Sequence, residues 1–97
     1  MYKIIYTKQA AKDIENLKRA NLAAKTQNLI EVIRKNPFQK PPSFEDLRGN
    51  LKGFYSRRIN IQHHLVHQVY QENIIEEDKQ YDGIIKIVRM WTHYDGL

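Results

Sequence analysis

Cationic, titratable and aromatic side chains gather in the C-terminal half of this sequence, on segments whose composition favours β-strands. Residues 54–59 (FYSRRI) place two arginines side by side, and two histidines follow at positions 63 and 64. The apolar run 84–91 then leads into Thr92, His93 and Tyr94. Chemistry on a phosphodiester requires such groups, because phosphate oxygens accept charge-assisted hydrogen bonds, imidazole carries protons and bases stack on aromatic rings.

Metal-free cleavage of RNA needs three groups. A base takes the 2′-hydroxyl proton, a cation offsets charge on the phosphorane, and an acid protonates the leaving 5′-oxygen. The only acids near the basic segment 48–58 are Glu45 and Asp46. Arg58 can bind two phosphate oxygens at once, and His93 titrates near neutral pH and can supply a proton.

The same residue types also have structural interpretations, which the sequence leaves open. A pair such as Arg57 and Arg58 is also typical of solvated charges on the surface of a strand. His63 and His67 share a strand face with apolar residues, which favours packed histidines at the core or its rim. Trp91 is either a core residue or a ring on which a base stacks.

The composition limits the classes of protein to which this chain can belong. The 97 residues predict one domain, residues 1–97, and the hydrophobic (41%) and charged (28%) fractions argue against disorder. The absence of cysteine excludes disulfides and thiolate catalysis and is compatible with a reducing cytoplasm. No apolar run approaches the ~20 residues of a membrane-spanning helix, so we expect a cytoplasmic protein with no membrane contact.

Charge is distributed unevenly along the chain. The net charge of +5 favours a polyanionic partner, either nucleic acid or an acidic protein segment. Residues 48–58 contain four cations and no acid, whereas five acids lie between positions 72 and 82. His63 and His64 point to opposite strand faces and cannot bind one ion together, so neither a metal nor another cofactor is expected.

Two helices joined by a tight turn are predicted in the N-terminal half. Thr7 is a suitable N-cap, and apolar positions at helical spacing follow it up to position 18. The pattern breaks near position 20 and resumes at Leu22 with a second apolar stripe. Pro37 ends the second helix, because the residue before a proline avoids the α region.

Strands are predicted at residues 2–6, 54–59, 63–70 and 84–91. Between them we expect a loop at 37–53, with a short helix or strand near 44–47, and a solvated acidic hairpin at 71–83 with a turn at Asp82-Gly83. The order β-α-α-β-β-β predicts an α+β fold in which the helical pair covers one face of an antiparallel sheet.

Alternation along the strands assigns polar residues to faces. Ser56 and Arg58 share one face of their strand, and His64 faces away from His63 and His67. In the last strand, alternation carried through to the end would place Arg89, Trp91 and His93 on one face.

The block 50–59 (NLKGFYSRRI), with His63, the pair Leu65-Val66 and the run Thr92-His93-Tyr94, resembles the Txe/YoeB family of bacterial toxins in the RelE superfamily. The resemblance extends over nearly the whole chain. It implies a RelE-like fold, with an N-terminal strand and a two-helix hairpin packed on an antiparallel sheet.

The resemblance also implies a function. Members of the family are toxins of type II toxin–antitoxin modules that enter the ribosomal A site and cleave mRNA there without a metal. Carried onto this chain, the general base is Glu45, the phosphate-binding arginine is Arg58, and the general acid is His93, followed by Tyr94 as a further catalytic residue. The RNA-binding residues expected around this site are Lys52, Arg57, Arg89 and Trp91.

The expected partners follow from the same resemblance. They are a cognate YefM/Axe-like antitoxin, the 70S ribosome with mRNA in its A site, and operator DNA that is reached only through the antitoxin complex. A homodimer is left open.

One departure from the family concerns the second strand of the active site. The family commonly has arginine where this chain has His64, and tyrosine where it has His67. Imidazole is a weaker, pH-dependent cation with fewer donors than guanidinium, so we expect slower or more acid-dependent cleavage. A bound phosphate would favour the protonated imidazole, and the cleavage rate would then differ less from that of relatives with arginine at this position.

A function from another class stays open. The same fold can serve as a binding module without catalysis, either a ParE-like topoisomerase inhibitor or a repressor partner. The set Glu45, Arg58 and His93 favours the nuclease, because ParE-like proteins share the fold but lack this acid–base set. A ribosome-independent nuclease is less favoured, because so sparse a site needs an external scaffold to orient its substrate.

Overall fold

The computed structural model describes residues 1–92, which contain two helices and seven strands. In chain order these are β1 (Lys3–Tyr6), α1 (Lys8–Arg19), α2 (Ala23–Lys35), β2 (Glu45–Asp46), β3 (Tyr55–Arg58), β4 (His64–Tyr70), β5 (Ile74–Glu76), β6 (Lys79–Tyr81) and β7 (Ile84–Arg89), with a 3-10 turn at Gly49–Leu51. Within this range no helix has the length and apolar character needed to cross a bilayer.

The central sheet contains five strands in the order β1-β7-β4-β3-β2. Strands β2, β3, β4 and β7 pair antiparallel, as predicted. Strand β1 runs parallel to β7, a pairing that the sequence did not predict. This is allowed because almost the entire chain, rather than a short hairpin, connects the two strands. The predicted α+β arrangement of a helical pair on a mainly antiparallel sheet is confirmed.

The helices form where the capping signals predict. The Thr7 hydroxyl accepts a hydrogen bond from the Ala10 amide (3.0 Å), which begins α1, and Asn21 adopts a left-handed φ of 60° in the turn between the helices. The buried helical side chains pack against one side of the sheet, here called the helix face. They are Ala10, Leu17, Leu29, Ile30 and Ile33, and they meet Leu65, Ile85 and Ile87 of the sheet.

The acidic segment forms a separate two-stranded hairpin from β5 and β6, so the predicted hairpin is confirmed. Its turn lies at Glu77 and Asp78, which have φ values of 49° and 64°. The turn predicted at Asp82-Gly83 is therefore wrong. Gly83 is buried, and a Cβ there would lie 2.1 Å from the Tyr70 carbonyl oxygen, so glycine is needed for a close approach of two backbones.

Strand β7 does not alternate to its end, because a β-bulge interrupts its pairing with β4. Val66 lies opposite Arg89 and His67 lies opposite Ile87, which leaves Val88 as the extra residue. The strand then ends at Arg89. The predicted alternation therefore does not continue regularly from Ile87 to Arg89, and His93 lies outside the described residues.

Candidate functional site

A cleft of about 270 Å³ lies on the side of the sheet opposite the helix face, here called the cleft face. Its lining is polar and comes from the loop before β2 and from three adjacent strands. The lining residues are Ser43, Phe44, Glu45, Ser56, Arg58 and His64. The cleft thus combines a carboxylate, a guanidinium, an imidazole and two hydroxyls.

Strand register explains why these side chains meet. Glu45 of β2 pairs with Ser56 of β3, and Arg58 of β3 pairs with His64 of β4. Residues opposite each other across an antiparallel pair project to the same face, as do residues two apart on one strand. Glu45, Arg58 and His64 therefore share the cleft face.

Ser56 orients the His64 ring. The Ser56 Oγ lies 3.1 Å from His64 Nδ1, and the serine is almost wholly buried. Because a hydroxyl can donate or accept, this contact suits either protonation state of the imidazole. Ser56 was not singled out as a site residue in the sequence, although its spacing of two from Arg58 placed it on the same face.

Glu45 and Arg58 are exposed at the mouth of the cleft. Their exposure leaves both groups accessible to a polyanion and to exchange of protons with solvent. A carboxylate can take a proton from a hydroxyl, and an arginine can bind phosphate oxygens with two donors. Among residues 1–92, no group of three or more His, Asp or Glu side chains is arranged to hold a metal ion.

The predicted general acid His93 and its neighbour Tyr94 lie outside the described residues. The last described residue reaches the strand that carries His64, because the Thr92 carbonyl accepts a hydrogen bond of 2.8 Å from the His64 amide. Thr92, the last described residue, therefore lies beside the cleft strand β4.

A buried carboxylate on α1 holds the end of β7. The Asp13 side chain is fully buried and accepts hydrogen bonds from Arg89 Nε (3.0 Å), the Met90 amide (2.9 Å) and the Trp91 amide (3.2 Å). These contacts place the Arg89 guanidinium between the sheet and α1 rather than in the cleft, so the structure does not support an RNA contact for Arg89. Asp13 itself was missed in the sequence, although its spacing of three from Ala10 put a charge on the apolar stripe.

Trp91 packs as a structural residue. Its ring stacks on His63 with centroids 3.6 Å apart and planes 15° apart, and it borders the hydrophobic core. These contacts agree with the core interpretation of Trp91, and stacking of a base on the other face of the ring stays a prediction. The prediction that His63 and His67 are packed histidines is confirmed by their burial.

Arg57 is the clearest correction to the predicted RNA-binding set. Its side chain is completely buried, so the prediction that it contacts RNA is wrong. The guanidinium donates hydrogen bonds to the carbonyl oxygens of Pro42 (2.5 Å), Gln39 (2.9 Å) and Pro37 (3.1 Å). Burial lowers the pKa of this guanidinium, which nevertheless remains charged at neutral pH.

His67 lies beside Arg57 on the helix face and is also completely buried. Neither of its ring nitrogens has a hydrogen-bond partner among residues 1–92. Burial, with a smaller contribution from the Arg57 charge, lowers the pKa of His67 to about 4. The imidazole is therefore neutral at physiological pH and packs near the Tyr55 ring.

Lys52 is exposed on the loop after the 3-10 turn. It lines a separate polar depression of about 340 Å³ with Asp46, Leu47, Arg48 and Gly49. This depression lies next to β2 along the chain, but Lys52 does not line the cleft that contains Arg58. An RNA contact by Lys52 stays a prediction.

A family model described as the YoeB-like toxin of bacterial type II toxin–antitoxin systems matches residues 6–94. Toxin YoeB of Synechocystis is 38% identical to this chain over 63 residues, which are 65% of this chain and 66% of the relative. The matched segment thus spans slightly less than two thirds of that relative's length.

Solved structures show the same fold over nearly the full chain. The YoeB/ParE toxin from Agrobacterium tumefaciens superposes with a TM-score of 0.78 at 26% identity, covering 95% of this chain and 99% of that one. The heterotetrameric YoeB–YefM toxin–antitoxin complex from Staphylococcus aureus contains a chain that superposes with a TM-score of 0.70 at 28% identity, covering 97% and 99%.

Proposed function

We propose that this chain, which belongs to the family of YoeB-like toxins of bacterial type II toxin–antitoxin systems, is an endoribonuclease that cleaves mRNA on the ribosome without a metal. The observation that carries the proposal is the convergence of Glu45, Arg58 and His64 on one cleft. Three adjacent strands supply these residues, and their register brings a carboxylate, a guanidinium and an imidazole to the same face of the sheet.

In the proposed reaction the 2′-oxygen of one nucleotide attacks the adjacent phosphorus. The Glu45 carboxylate takes the 2′-hydroxyl proton as the new P–O bond forms. Arg58 donates to the non-bridging oxygens, whose negative charge grows in the transition state. His64, oriented by Ser56, adds a second donor at the position where the family commonly has arginine.

The bond from phosphorus to the 5′-oxygen then breaks, and the leaving oxygen needs a proton. His93 is proposed as the acid that supplies it, with Tyr94 beside it. The hydrogen bond between the Thr92 carbonyl and the His64 amide supports this role, because it brings the chain to the cleft strand one residue before His93. The products are a 2′,3′-cyclic phosphate and a free 5′-hydroxyl.

The ribosome is proposed as the surface that orients the mRNA. The cleft is small and open, and Glu45 and Arg58 lie at its exposed rim, so the protein by itself restrains a flexible strand weakly. A scaffold that holds the nucleotide in the reactive geometry would supply the orientation that the protein alone does not provide. The net charge of +5 favours association with ribosomal RNA, and Lys52 is proposed as one of its phosphate contacts.

The proposed protein partner is a cognate antitoxin of the YefM type. The YoeB chain in the Staphylococcus aureus structure is assembled with YefM, and this chain shares its fold over nearly its full length. An antitoxin with an acidic segment would complement the net charge of this chain. We expect operator DNA to be bound only through that complex, and the free toxin to act in the cytoplasm.

The test of the nuclease is induced expression of the wild-type chain and of His93→Ala, with mapping of mRNA 5′ ends on ribosomes. We expect growth arrest and new 5′ ends within codons for the wild type. We expect neither for His93→Ala, because a missing general acid typically costs 10²- to 10⁴-fold in rate.

Growth arrest by both proteins with no new 5′ ends would contradict the nuclease. That result would instead support the non-catalytic alternative, a ParE-like topoisomerase inhibitor or a repressor partner. Arg19→Gln is a matched control, because Arg19 is an exposed cation at the end of α1 and lies outside the cleft lining.

A further inference from the structure

We propose that Arg57 is a positioning residue that sets the place of Glu45 by holding the preceding loop against β3. The inference rests on the proposed function of Glu45 as the general base. Arg57 cannot touch the substrate, because its side chain is wholly buried on the helix face. It acts through the backbone of residues 37–44.

The guanidinium binds three points of that loop. Its two terminal nitrogens donate to the carbonyls of Pro37, Gln39 and Pro42, at 2.5 to 3.1 Å. Its central carbon lies 4.9 Å from the centroid of the Phe44 ring, in cation–π contact. Phe44 immediately precedes Glu45, so the contacts of Arg57 continue to the residue before the base.

The strand that carries Glu45 is short and lies at the edge of the sheet. Strand β2 has only two residues, and both are exposed at the edge of the sheet. They pair with Ser56 and Tyr55, and the Leu47 amide adds one hydrogen bond to the Phe54 carbonyl (3.0 Å). So short an edge strand frays easily unless the chain leading into it is held.

Two consecutive residues of β3 therefore hold the same segment, one by backbone pairing and one by its side chain. Ser56 pairs with Glu45 in the sheet, and Arg57 binds the loop that precedes Glu45. The geometry depends on guanidinium, because its planar fork presents several donors in fixed directions, whereas lysine offers a single nitrogen on a flexible stem. No carboxylate forms an ion pair with Arg57 within residues 1–92, so the carbonyl oxygens are its hydrogen-bond acceptors.

A buried cation that is compensated by carbonyl dipoles and one aromatic ring, without a carboxylate among residues 1–92, is a costly way to stabilise a loop. Apolar packing of equal volume would generally stabilise the fold as well or better. What the guanidinium adds is a defined geometry, because it binds all three carbonyls only in one arrangement of the loop. The expected effect of Arg57 is thus on the position of the base as well as on stability.

The first test measures single-turnover cleavage of mRNA on programmed ribosomes, at saturating toxin, for the wild type and Arg57→Lys. We expect Arg57→Lys to cleave about 10- to 100-fold more slowly, because displacing a reacting group by about 1 Å has a cost of this order. Arg34→Lys is the matched control, since Arg34 lies on α2 and makes an ion pair with Glu31. We expect it to cleave at the wild-type rate.

A double-mutant comparison separates positioning from general destabilisation. If Arg57 acts through Glu45, then Arg57→Lys has no further effect on the residual cleavage by Glu45→Gln. Equal fold-losses in the two backgrounds, or no loss in the wild-type background, would overturn the inference. If Arg57→Lys does not fold, Phe44→Leu is used in its place. We expect a smaller loss of cleavage rate from Phe44→Leu, and no further loss when it is combined with Glu45→Gln.

Hydrogen exchange gives a readout that does not depend on activity. Arg57→Lys should speed exchange of the amides in residues 37–47 and leave the central strand β4 unchanged. Uniformly faster exchange would indicate a purely structural role for Arg57 and overturn the inference. If the wild-type chain cleaves nothing on ribosomes, the proposed function fails, whereas the exchange result still reports whether Arg57 holds the loop.

Discussion

Arg57 and Arg58 are neighbours on one strand, yet they lie in opposite environments. Arg57 is buried on the helix face and binds three backbone carbonyls, whereas Arg58 is exposed on the cleft face with Glu45 and His64. The histidines of the adjacent strand repeat this division, since His67 is buried beside Arg57 and His64 lines the cleft. The two faces therefore use the same residue types for different purposes.

The difference follows from what covers each face. On the helix face, the helices and the loop of residues 37–44 exclude water, so polar groups there either bind backbone or stay neutral. On the cleft face, the exposed Arg58 can exchange solvent for a phosphate without leaving a buried group unpaired. Residue type thus predicts chemistry in this protein only together with the face on which the residue lies.

The largest expected effect comes from Arg58. Arg58→Gln should lower cleavage on ribosomes about 10²- to 10³-fold, because it removes the proposed charged donor to the phosphorane. Its unfolding free energy should change by no more than about 0.5 kcal/mol, since the side chain is exposed. Single-turnover cleavage and chemical denaturation measure the two quantities.

Arg57→Gln sharpens the comparison between the two arginines. Removing the buried cation leaves carbonyl oxygens without their donor, so we expect it to lower the unfolding free energy by about 2–4 kcal/mol. Equal stability losses at positions 57 and 58 would show that the two faces do not differ in the way proposed.

An intermediate effect is expected from His67 as the pH falls. The unfolded imidazole has an ordinary pKa near 6.5, whereas the folded one has a pKa of about 4. The unfolded chain therefore takes up the proton first, and stability is lost progressively as pH falls from about 6.5 to 4. The full loss is about 3 kcal/mol.

His67→Met removes this titration at similar side-chain volume. Its unfolding free energy should fall less steeply than that of the wild type between pH 7 and 4.5, as measured by denaturation at each pH. Gln68→Met is the control on the same strand and should keep the wild-type slope. Identical slopes for the wild type and His67→Met would mean that the pKa of His67 is not lowered in the folded protein.

The smallest expected effect concerns His64. His64→Arg should raise the cleavage rate several-fold at pH 8 and less at pH 6, because guanidinium keeps the charge that imidazole loses near neutral pH. A change of this size corresponds to about 1 kcal/mol in the barrier. Cleavage that is unchanged across pH 6–8 would remove His64 from the mechanism and leave Glu45, Arg58 and His93 as the proposed active groups.

Much of the fold was predictable from local signals. Thr7 capped its helix as expected, the break near position 20 became a left-handed Asn21, and the acidic segment formed a hairpin. These features depend on residues close together in sequence, so the pattern contains the information. The shared face of Arg58 and His64 was also predictable, because β3 and β4 alternate regularly and pair through a short turn.

Long-range contacts produced the failures. The bulge in β7 and the parallel pairing of β1 with β7 both depend on partners far along the chain. Gly83 was predicted to be a turn residue, but glycine is needed there because the Tyr70 backbone leaves no room for a Cβ atom. Asp13 looked like an ordinary helical charge until the end of β7 supplied its hydrogen-bond donors.

The sequence by itself determined the helix pair, the alternation of the cleft strands and the family to which the chain belongs, because short-range spacing and residue type carry all three. Only the tertiary structure decided which of the two adjacent arginines is buried. Alternation predicts that Arg57 and Arg58 point to opposite sides of the sheet. It does not predict which side is covered by a loop that lies fifteen to twenty residues earlier in the chain. That choice is made by packing, since the loop carbonyls need a donor and the buried guanidinium needs acceptors.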